Sequence, residues 1–337
     1  ALEQISQVRG NLHYAEAWSL TDYIANKYGQ AQLSQMLKAV IKEGYKDQTF
    51  KRLFNRSLKE LWTDWRQELT SIYQEGAESP SYTQLSSPLF AEYRDQTMVK
   101  TTKEGQIFFL SSHQGRFYDL YLAEGEKVKR LTEQTVSAFD LSPDGQQLIF
   151  LSDQDGERKL YLLSLESGAV TPFAPEVTNP VEVAWSPQGD RLAVTANRKG
   201  DADLFVVGLD GKILSVIADS PADETSPAWA PDGQWVAFVS TLQGYDQIHL
   251  GNGKTTRLLT RQALHHRKPA WSKDGKLYCL TGEKGYYRLA EVDLNNGQTS
   301  FRWDYRETVL EMLPQEDEAF LVVLYNAGRS EIYRFQR

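Results

Sequence analysis

The sequence predicts a mainly β protein, a six-bladed β-propeller preceded by a small α-helical domain. Three observations lead to this prediction. Apolar residues recur at helical spacing over residues 12–73, a unit of about 42 residues repeats from residue 85 onward, and each unit holds short apolar strands joined by tight turns. The expected domains are residues 1–80, which are helical, and residues 81–337, which form the propeller.

The composition is that of a folded globular chain of 337 residues, with 41% hydrophobic and 24% charged residues. The single cysteine, Cys279, excludes an intrachain disulfide and a cysteine-based zinc site. The longest apolar run, Ala319–Tyr325, is far below the roughly 18 residues of a membrane span, so we expect no transmembrane segment.

The net charge of −8 falls entirely on residues 81–337, because acidic and basic residues balance over residues 1–80. An acidic body repels phosphate backbones, so we expect no nucleic-acid partner. The chain opens Ala-Leu-Glu-Gln without an initiator Met or a leader. We therefore expect a piece of a longer protein.

Helical spacing defines the first domain. A first helix is predicted over Leu12–Tyr28, because its apolar residues lie on one face, and Gly29 is placed to end it. A second helix is predicted over Gln32–Glu43, and Ser57 with Glu60 forms a capping box ahead of a third. Short amphipathic helices of this kind need a partner surface to be stable. A stretch rich in Ser, Pro and Gly over residues 75–88 is the expected linker.

A recurring tight turn defines the propeller units. Its glycines step by 44, 44 and 42 residues, and the same register reaches back to Gly105 and forward to Asp317. That spacing predicts six units. The four clearest turns are Leu141-Ser-Pro-Asp-Gly145, Trp185-Ser-Pro-Gln-Gly189, Trp229-Ala-Pro-Asp-Gly233 and Trp271-Ser-Lys-Asp-Gly275.

Each unit is predicted to hold four strands in one order. The first ends in the turn, the second is continuously apolar, as in Leu148–Leu151, and the third carries an aromatic residue such as Tyr121. Four-stranded units of this length are blades of a propeller. Because the last unit stops after its third strand, we expect the segment Gln84–Arg94 to pair beside residues 331–336 and close the ring.

These turns carry a family likeness. With second strands such as Gln234–Ser240 and third strands such as Asp203–Val207, they resemble the WD40-like (PD40) repeats of TolB-type six-bladed propellers over roughly residues 85–337. The first unit departs from the pattern, with Thr101 in the Trp position, and the sixth lacks the Gly. The resemblance implies an extracytoplasmic protein, in the periplasm or at the cell surface.

The helical segment resembles a different family. Residues Tyr14–Gly29 and Phe54–Trp65 look like the C-terminal helical subdomain of peptidase-MA-like gluzincin metallopeptidases. In that family the zinc-binding His-Glu-x-x-His helix lies upstream, and it is absent here. The resemblance implies that the catalytic half either precedes Ala1 or has been lost.

Few residues of this chain point to catalysis. His13 and Glu16 lack the second histidine one turn away that a zinc site needs. His249 occupies the aromatic position of a third strand, so a packed role is expected, and Cys279 lies in an apolar strand. Neither a Gly-x-Ser-x-Gly elbow nor a phosphate loop occurs, and we predict no catalytic residue, no metal and no cofactor.

The candidate site is instead a loop surface. Loops that enter each blade and loops between second and third strands converge on one face around the axial channel, which we call the loop face. The alternative is that these loops are ordinary solvated turns, and the sequence leaves both interpretations open. The candidate binding residues are Asn179, Arg198, Asp223, Glu224, Tyr245, His265, His266 and Arg267.

Three functions remain at this stage. The first is a non-catalytic module that binds a protein or peptide on the loop face. The second makes the chain the non-catalytic remainder of a zinc metallopeptidase, with the propeller as substrate gate or docking platform. The third, favoured less because few histidines converge, is a metal-dependent lyase resembling the oligogalacturonate lyases. The sequence leaves the ligand and the oligomeric state open.

Overall fold

The computed structural model describes most of the chain and divides it into two compact units, Ala1–Pro80 and Ser81–Arg337. We describe each unit by itself. The described residues are 20–21, 23–25, 27–44, 46–74, 86–113, 117–154, 156–198, 200–241, 244–283, 286–303, 308–326 and 329–336.

The first unit contains short helices that share one apolar core. Residues 20–28 are helical where they are described, and they are followed by α1 (Gln30–Glu43), α2 (Asp47–Phe54) and α3 (Leu58–Gln74). Each of these segments buries apolar side chains against the others, which is what helices too short to be stable alone require. The buried residues are Tyr23, Ile24, Met36, Phe50, Phe54, Leu61 and Trp65.

The predicted helix ends are present. The N–H of Gly29 donates to the carbonyl of Ala25 at 2.9 Å, and its φ of 91° is one that glycine adopts without strain. The capping box also forms: the N–H of Glu60 donates to Ser57 Oγ at 3.2 Å, and the N–H of Ser57 donates to the Glu60 carboxylate at 2.7 Å. Residues 12–19 of the first predicted helix and residues 75–85 of the predicted linker lie outside the described residues.

The second unit is a six-bladed β-propeller, as predicted. Its sheets are antiparallel and run in chain order from an inner first strand to an outer last strand. The blades are blade 1 with β1 (Thr97–Thr101), β2 (Ile107–Ser111), β3 (Asp119–Glu124) and β4 (Lys127–Arg130); blade 2 with β5 (Ala138–Leu141), β6 (Gln147–Gln154), β7 (Glu157–Ser164) and β8 (Val170–Phe173); blade 3 with β9 (Pro180–Trp185), β10 (Arg191–Arg198), β11 (Asp201–Gly208) and β12 (Ile213–Ala218); blade 4 with β13 (Glu224–Trp229), β14 (Val236–Ser240), β15 (Gln247–Gly251) and β16 (Thr256–Leu258); blade 5 with β17 (His265–Trp271), β18 (Leu277–Glu283), β19 (Tyr286–Val292) and β20 (Thr299–Phe301); and blade 6 with β21 (Thr308–Pro314), β22 (Phe320–Asn326) and β23 (Arg329–Phe335).

The recurring turn joins the first and second strand of each blade. In blade 2, Ser142 Oγ donates to Asp144 Oδ1 at 2.6 Å, and the N–H of Gly145 donates to the Ser142 carbonyl at 2.9 Å. Gly145 has a φ of 72°, so a side chain there would be strained. In blade 6 the pairing of Pro314 with Phe320 matches that of Trp271 with Leu277 in blade 5, so Glu318 rather than Asp317 stands in the Gly position. Both residues take a φ of 57°, so the positive φ of the turn is kept without the glycine.

Packing between neighbouring blades forms the core of this unit. The second strands are buried on both faces, and β2 and β14 have no partly exposed residue. The predicted aromatic position of the third strand stacks on the second strand, as Tyr121 does on Phe109 at 5.6 Å. Tryptophans also tie blades together: the Trp229 indole N–H donates to the Ala184 carbonyl and the Trp271 indole N–H to the Ala228 carbonyl, both at 3.2 Å.

The ring closes differently from the prediction. The described part of the segment Gln84–Arg94 does lie beside β23, and the N–H of Leu89 donates to the Ile332 carbonyl at 2.8 Å. It forms turns rather than a strand, however, so blade 6 is three-stranded and the predicted fourth strand is wrong. Gln96 completes the seam because its N–H donates to the Ser330 carbonyl and its side-chain oxygen accepts the Ile332 N–H at 3.0 Å.

Candidate functional site

The loop face is the end of the propeller at which the first strands begin. Antiparallel pairing brings the loop between the second and third strands to this same end, as the pairing of His265 with Gly282 shows in blade 5. All eight candidate residues lie in such positions in blades 3, 4 and 5. The structure brings only some of them into contact.

Asp246 organises the part of the loop face between blades 4 and 5. Its Oδ2 lies 3.1 Å from His265 Nδ1, and the same oxygen accepts a hydrogen bond from Arg267 Nε. The backbone takes part as well, since the N–H of His266 donates to the Asp246 carbonyl at 2.7 Å. The N–H of Asp246 also donates to His265 Nδ1 at 3.2 Å. Asp246 is buried, so its carboxylate fixes Arg267 and its backbone N–H fixes His265. The sequence analysis did not single out Asp246.

Aromatic rings extend this arrangement to the surface. The ring of Tyr245 meets the His265 ring edge-on at 5.4 Å, and 40% of Tyr245 is exposed. The Arg267 guanidinium lies 5.0 Å from the centre of the Tyr287 ring, and burial raises the pKa of that tyrosine. We call Tyr245, Asp246, His265 and Arg267 the Asp246 cluster. It presents a tyrosine, a histidine and an arginine on one surface.

His266 is a correction to the predicted surface. Its side chain points to the opposite side of β17 from His265 and Arg267, it is fully buried, and it lies opposite Thr281 of β18. Neither ring nitrogen has a hydrogen-bond partner among the described residues. Burial lowers the pKa of His266 to about 4, so the ring is neutral at pH 7. It cannot contact a partner on the loop face.

Glu224 is a second correction. It is buried beside Ser240 of the neighbouring strand, and Ser220 Oγ donates to its Oε1 at 2.5 Å. Its Oε2 has no hydrogen-bond partner among the described residues, and burial raises the pKa of the carboxyl group. Successive side chains of a strand point to opposite faces of its sheet. At the first position of β13 this turns the Glu224 side chain toward the Ser240 hydroxyl of β14 rather than toward solvent.

The remaining candidates are exposed but lie apart from the Asp246 cluster. Asp223 accepts a hydrogen bond from the N–H of Ala202 at 3.0 Å and so ties the start of blade 4 to blade 3. The Arg198 guanidinium lies 5.2 Å from the centre of the Phe205 ring. Asn179 has a φ of 50°, and its carbonyl accepts the N–H of Asn197 at 3.0 Å. These contacts are within or between neighbouring blades.

A cavity in the axial channel is a second candidate site. It has a volume of about 270 Å³ and is lined by the first strands of all six blades. None of the eight predicted residues lines it. Its charged side chains are Lys100, Asp140, Glu182, Lys268 and Glu311.

Ion pairs cross this cavity. Lys268 Nζ lies 3.4 Å from Glu311 Oε1 and 3.7 Å from Glu182 Oε1, so it links blade 5 to blades 6 and 3. The two carboxylates, Glu311 foremost, hold the pKa of Lys268 above its ordinary value. Lys100 Nζ pairs with Asp140 Oδ1 at 2.7 Å between blades 1 and 2.

The sequence offered one signal for the cavity. Glu182, Ser226 and Lys268 each stand three residues before the Trp that ends a first strand. Polar residues in the middle of inner strands indicate a polar channel. Which of them meet across the ring depends on blade geometry, which the repeat alone does not give.

The other histidines and the cysteine have structural surroundings. His249 stacks on Phe238 at 5.5 Å, in the packed position that the sequence predicts, and burial lowers its pKa. Cys279 is buried, and burial raises the pKa of its thiol. The described residues contain no group of three or more His, Cys, Asp or Glu side chains placed to hold a metal ion. His13 lies outside them.

Comparison with known proteins agrees with this architecture. Residues 179–306 match the family model described as the TolB beta propeller domain, PD40. Blades 3 to 5 of this chain are therefore similar to the TolB beta propeller domain. The match does not reach the helical unit, so the metallopeptidase resemblance stays a prediction. No curated protein sequence matches the chain significantly.

Solved structures share the propeller fold of this chain at low sequence identity. TolB from Acinetobacter baumannii is 16% identical with a TM-score of 0.50, covering 83% of this chain and 71% of that chain. A putative TolB from Agrobacterium tumefaciens is 16% identical with a TM-score of 0.57, covering 72% and 91%. A gluconolactonase from Xanthomonas campestris is 11% identical with a TM-score of 0.56, covering 73% and 88%. At such identities the likeness shows the fold alone, and the fold is shared by binding proteins and enzymes.

Within the described part of the chain, no helix is both long and apolar enough to cross a membrane.

Proposed function

We propose that this TolB-type propeller is a binding module that receives a protein or peptide on its loop face. The observation that carries the proposal is the Asp246 cluster, in which the buried Asp246 fixes Arg267 through its carboxylate and His265 through its backbone N–H, beside the exposed ring of Tyr245. Tyrosine and arginine are enriched among residues that dominate binding energy in protein interfaces. We propose no catalytic role for this chain.

Preorganisation supports this role for the cluster. A free arginine side chain loses conformational entropy when a partner immobilises it. Arg267 is already held by Asp246 and by the Tyr287 ring, although 44% of its side chain is exposed. Tyr245 likewise rests on His265. A partner that docks here therefore contacts side chains that are already ordered in the free protein, so binding loses less conformational entropy.

The surface proposed for the partner consists of the Asp246 cluster together with exposed loop-face residues of blades 3 and 4. Asn179, Arg198 and Asp223 form this outer part, and the buried Glu224 and His266 support the strands beneath it. By likeness to TolB proteins we propose that binding takes place outside the cytoplasm, in the periplasm or at the cell surface.

A photo-crosslinking experiment tests the location of the surface. A benzophenone amino acid replaces Tyr245 in one variant and Lys273 in another, since Lys273 lies on the recurring turn of blade 5, at the other end of the propeller, and its side chain is 70% exposed. Both proteins are incubated with an extract of the cells that produce the chain, and adducts are identified by mass spectrometry.

The expected result is a defined adduct from position 245 that position 273 does not give. Adding Arg267→Ala to the position-245 protein should lower its yield at least tenfold, whereas Lys212→Ala, which removes an exposed lysine of blade 3, should leave it unchanged. Equal adducts from both crosslinker positions, or a yield that Arg267→Ala leaves intact, would contradict the proposed interface.

A further inference from the structure

The axial cavity has the features of a small-ligand site that is separate from the loop face. Its volume of about 270 Å³ lies just below the range of roughly 300–1,000 Å³ that is common for ligand pockets. Apolar and aromatic side chains form most of its wall, and a few charged groups converge on it. We propose that it binds a small organic monocation, a primary ammonium carried on an apolar or aromatic body.

The charges around the cavity favour a cation. Its five charged side chains are two lysines and three carboxylates, so one negative charge is in excess. Asp140 is fully engaged, because Oδ1 pairs with Lys100 and Oδ2 accepts the backbone N–H of Trp185 at 2.7 Å. Asp140 is therefore not the carboxylate that would pair with a cationic ligand.

The excess charge is concentrated at Glu311. Its Oε1 serves both Lys268 at 3.4 Å and the hydroxyl of Thr97 at 3.2 Å, whereas Oε2 has no partner among the described residues. Glu182, the other carboxylate near Lys268, has its Oε2 occupied by the backbone N–H of Ser226. Glu311 thus offers an ammonium group one uncommitted oxygen in a partly dehydrated channel.

The walls suit the body of such a ligand. Trp185, Trp229 and Trp271 line the cavity from three consecutive blades, and Met98 and Met312 line it from blades 1 and 6. Indole rings attract organic cations as well as apolar surface, and methionine adapts to the shape of what it contacts. Inorganic cations would gain little from these walls.

The backbone around the cavity is shaped in an unusual way. Met98, Ser226 and Lys268 have φ values of 50°, 54° and 48°, and each lies where a β-bulge interrupts the pairing of a first strand. Non-glycine residues in this conformation are uncommon and gather at functional sites. Here the bulges re-aim side chains of three different blades at one cavity.

The test measures binding of 2-phenylethylammonium by isothermal titration calorimetry and by tryptophan fluorescence at low salt. The matched probes are 2-phenylethanol, which has nearly the same shape without charge, and phenylacetate, which is an anion. We expect the ammonium probe to bind with a dissociation constant near or below about 1 mM, and at least tenfold more tightly than either matched probe.

Variants locate the site. Glu311→Gln should weaken binding of the ammonium probe at least tenfold. Lys268→Met, which uncovers both carboxylates, should strengthen it severalfold. Glu157→Gln, which removes an exposed carboxylate of blade 2 outside the cavity, should leave it unchanged, and circular dichroism checks that each variant is folded.

The inference would be overturned if 2-phenylethanol bound as tightly as the ammonium probe, or if phenylacetate bound more tightly. It would also be overturned if the ammonium probe showed no binding at a concentration of about 10 mM. Unchanged affinity in a folded Glu311→Gln variant would do the same. If that variant does not fold, the comparison of the three probes on the unmodified protein still decides. The crosslinking experiment on the loop face is independent of this outcome, so the two proposals can fail separately.

Discussion

The backbone N–H of Trp185 in blade 3 donates a 2.7 Å hydrogen bond to Oδ2 of Asp140 in blade 2, and Oδ1 of the same carboxylate pairs with Lys100 of blade 1. One buried side chain therefore joins three consecutive blades. The ring depends on such links because each blade buries its faces only against its neighbours.

Replacing Asp140 with alanine should destabilise the propeller by about 3 kcal/mol, because it leaves a buried N–H and a partly buried lysine without their partner. Urea denaturation followed by tryptophan fluorescence measures the change. Glu157→Ala removes a carboxylate that is exposed and paired only at the surface, so it should cost less than about 0.5 kcal/mol. Similar costs for the two variants would contradict the role of Asp140.

Gln96 should be equally important for closing the ring. Its side-chain amide donates to the carbonyls of Phe90 and Tyr93 at 2.6 and 2.7 Å and accepts the N–H of Ile332 at 3.0 Å. Gln96→Ala should lower the free energy of unfolding by about 3 kcal/mol and speed proteolysis near residue 90. The exposed Gln234→Ala is the matched control. Unaltered proteolysis in Gln96→Ala would show that the seam is held by other contacts.

His266 should make the stability depend on pH. Its pKa is lowered from 6.5 to about 4 in the folded protein, so between these values the unfolded chain binds a proton that the folded chain does not. His266 therefore has no effect on the free energy of unfolding above pH 6.5. As the pH falls from 6.5 to about 4, it lowers the free energy of unfolding progressively, by up to about 3 kcal/mol.

Comparing the pH dependence of the free energy of unfolding in the protein and in its His266→Phe variant isolates the contribution of His266. Urea denaturation at pH 7.5 and at pH 4.5 gives the two free energies of unfolding for each protein. The loss on acidification should be smaller in the variant. An identical loss in both proteins would mean that His266 does not contribute.

Gly297, in the turn between β19 and β20 of blade 5, lies close to the backbone of Leu259, which follows β16 of blade 4. It has a φ of 73°, and a Cβ on it would overlap the backbone carbonyl of Leu259. Gly297→Ala should therefore cost well over 2 kcal/mol. Gly275→Ala is the control with a similar φ of 86° but no atom within 4 Å, and it should cost about 1 kcal/mol from backbone strain alone. Equal costs in thermal unfolding would show that the overlap is relieved.

Much of the fold could be predicted because its signals are local. The Ser-Pro-Asp-Gly turn encodes its own hydrogen bonds, and the third-strand aromatic residue stacks within its own blade. The seam was predicted less well, since hydrogen bonds from Leu89 and Gln96 stand where a fourth strand was expected. An amide that imitates a backbone group leaves no periodic pattern in the sequence.

The candidate sites depend on relations between blades, which the sequence shows poorly. Alternation along β17 turns His265 and His266 to opposite sides, so the burial of His266 corrects a candidate set that included both. Asp246 and Glu311 could not be singled out, because their partners stand 21 and 43 residues away in other blades. The bulge at Lys268 also shifts the alternation of β17 in a way that no motif announces.

The indole hydrogen bonds between blades have an evolutionary consequence. Blade 4 carries both a donor, the ring of Trp229, and an acceptor for blade 5, the carbonyl of Ala228. A duplicated unit therefore brings its own couplings on both sides, as an interchangeable part would. The series stops at blade 3, because the Trp185 indole N–H has no hydrogen-bond partner among the described residues and blades 1 and 2 carry Thr101 and Leu141 in the Trp position.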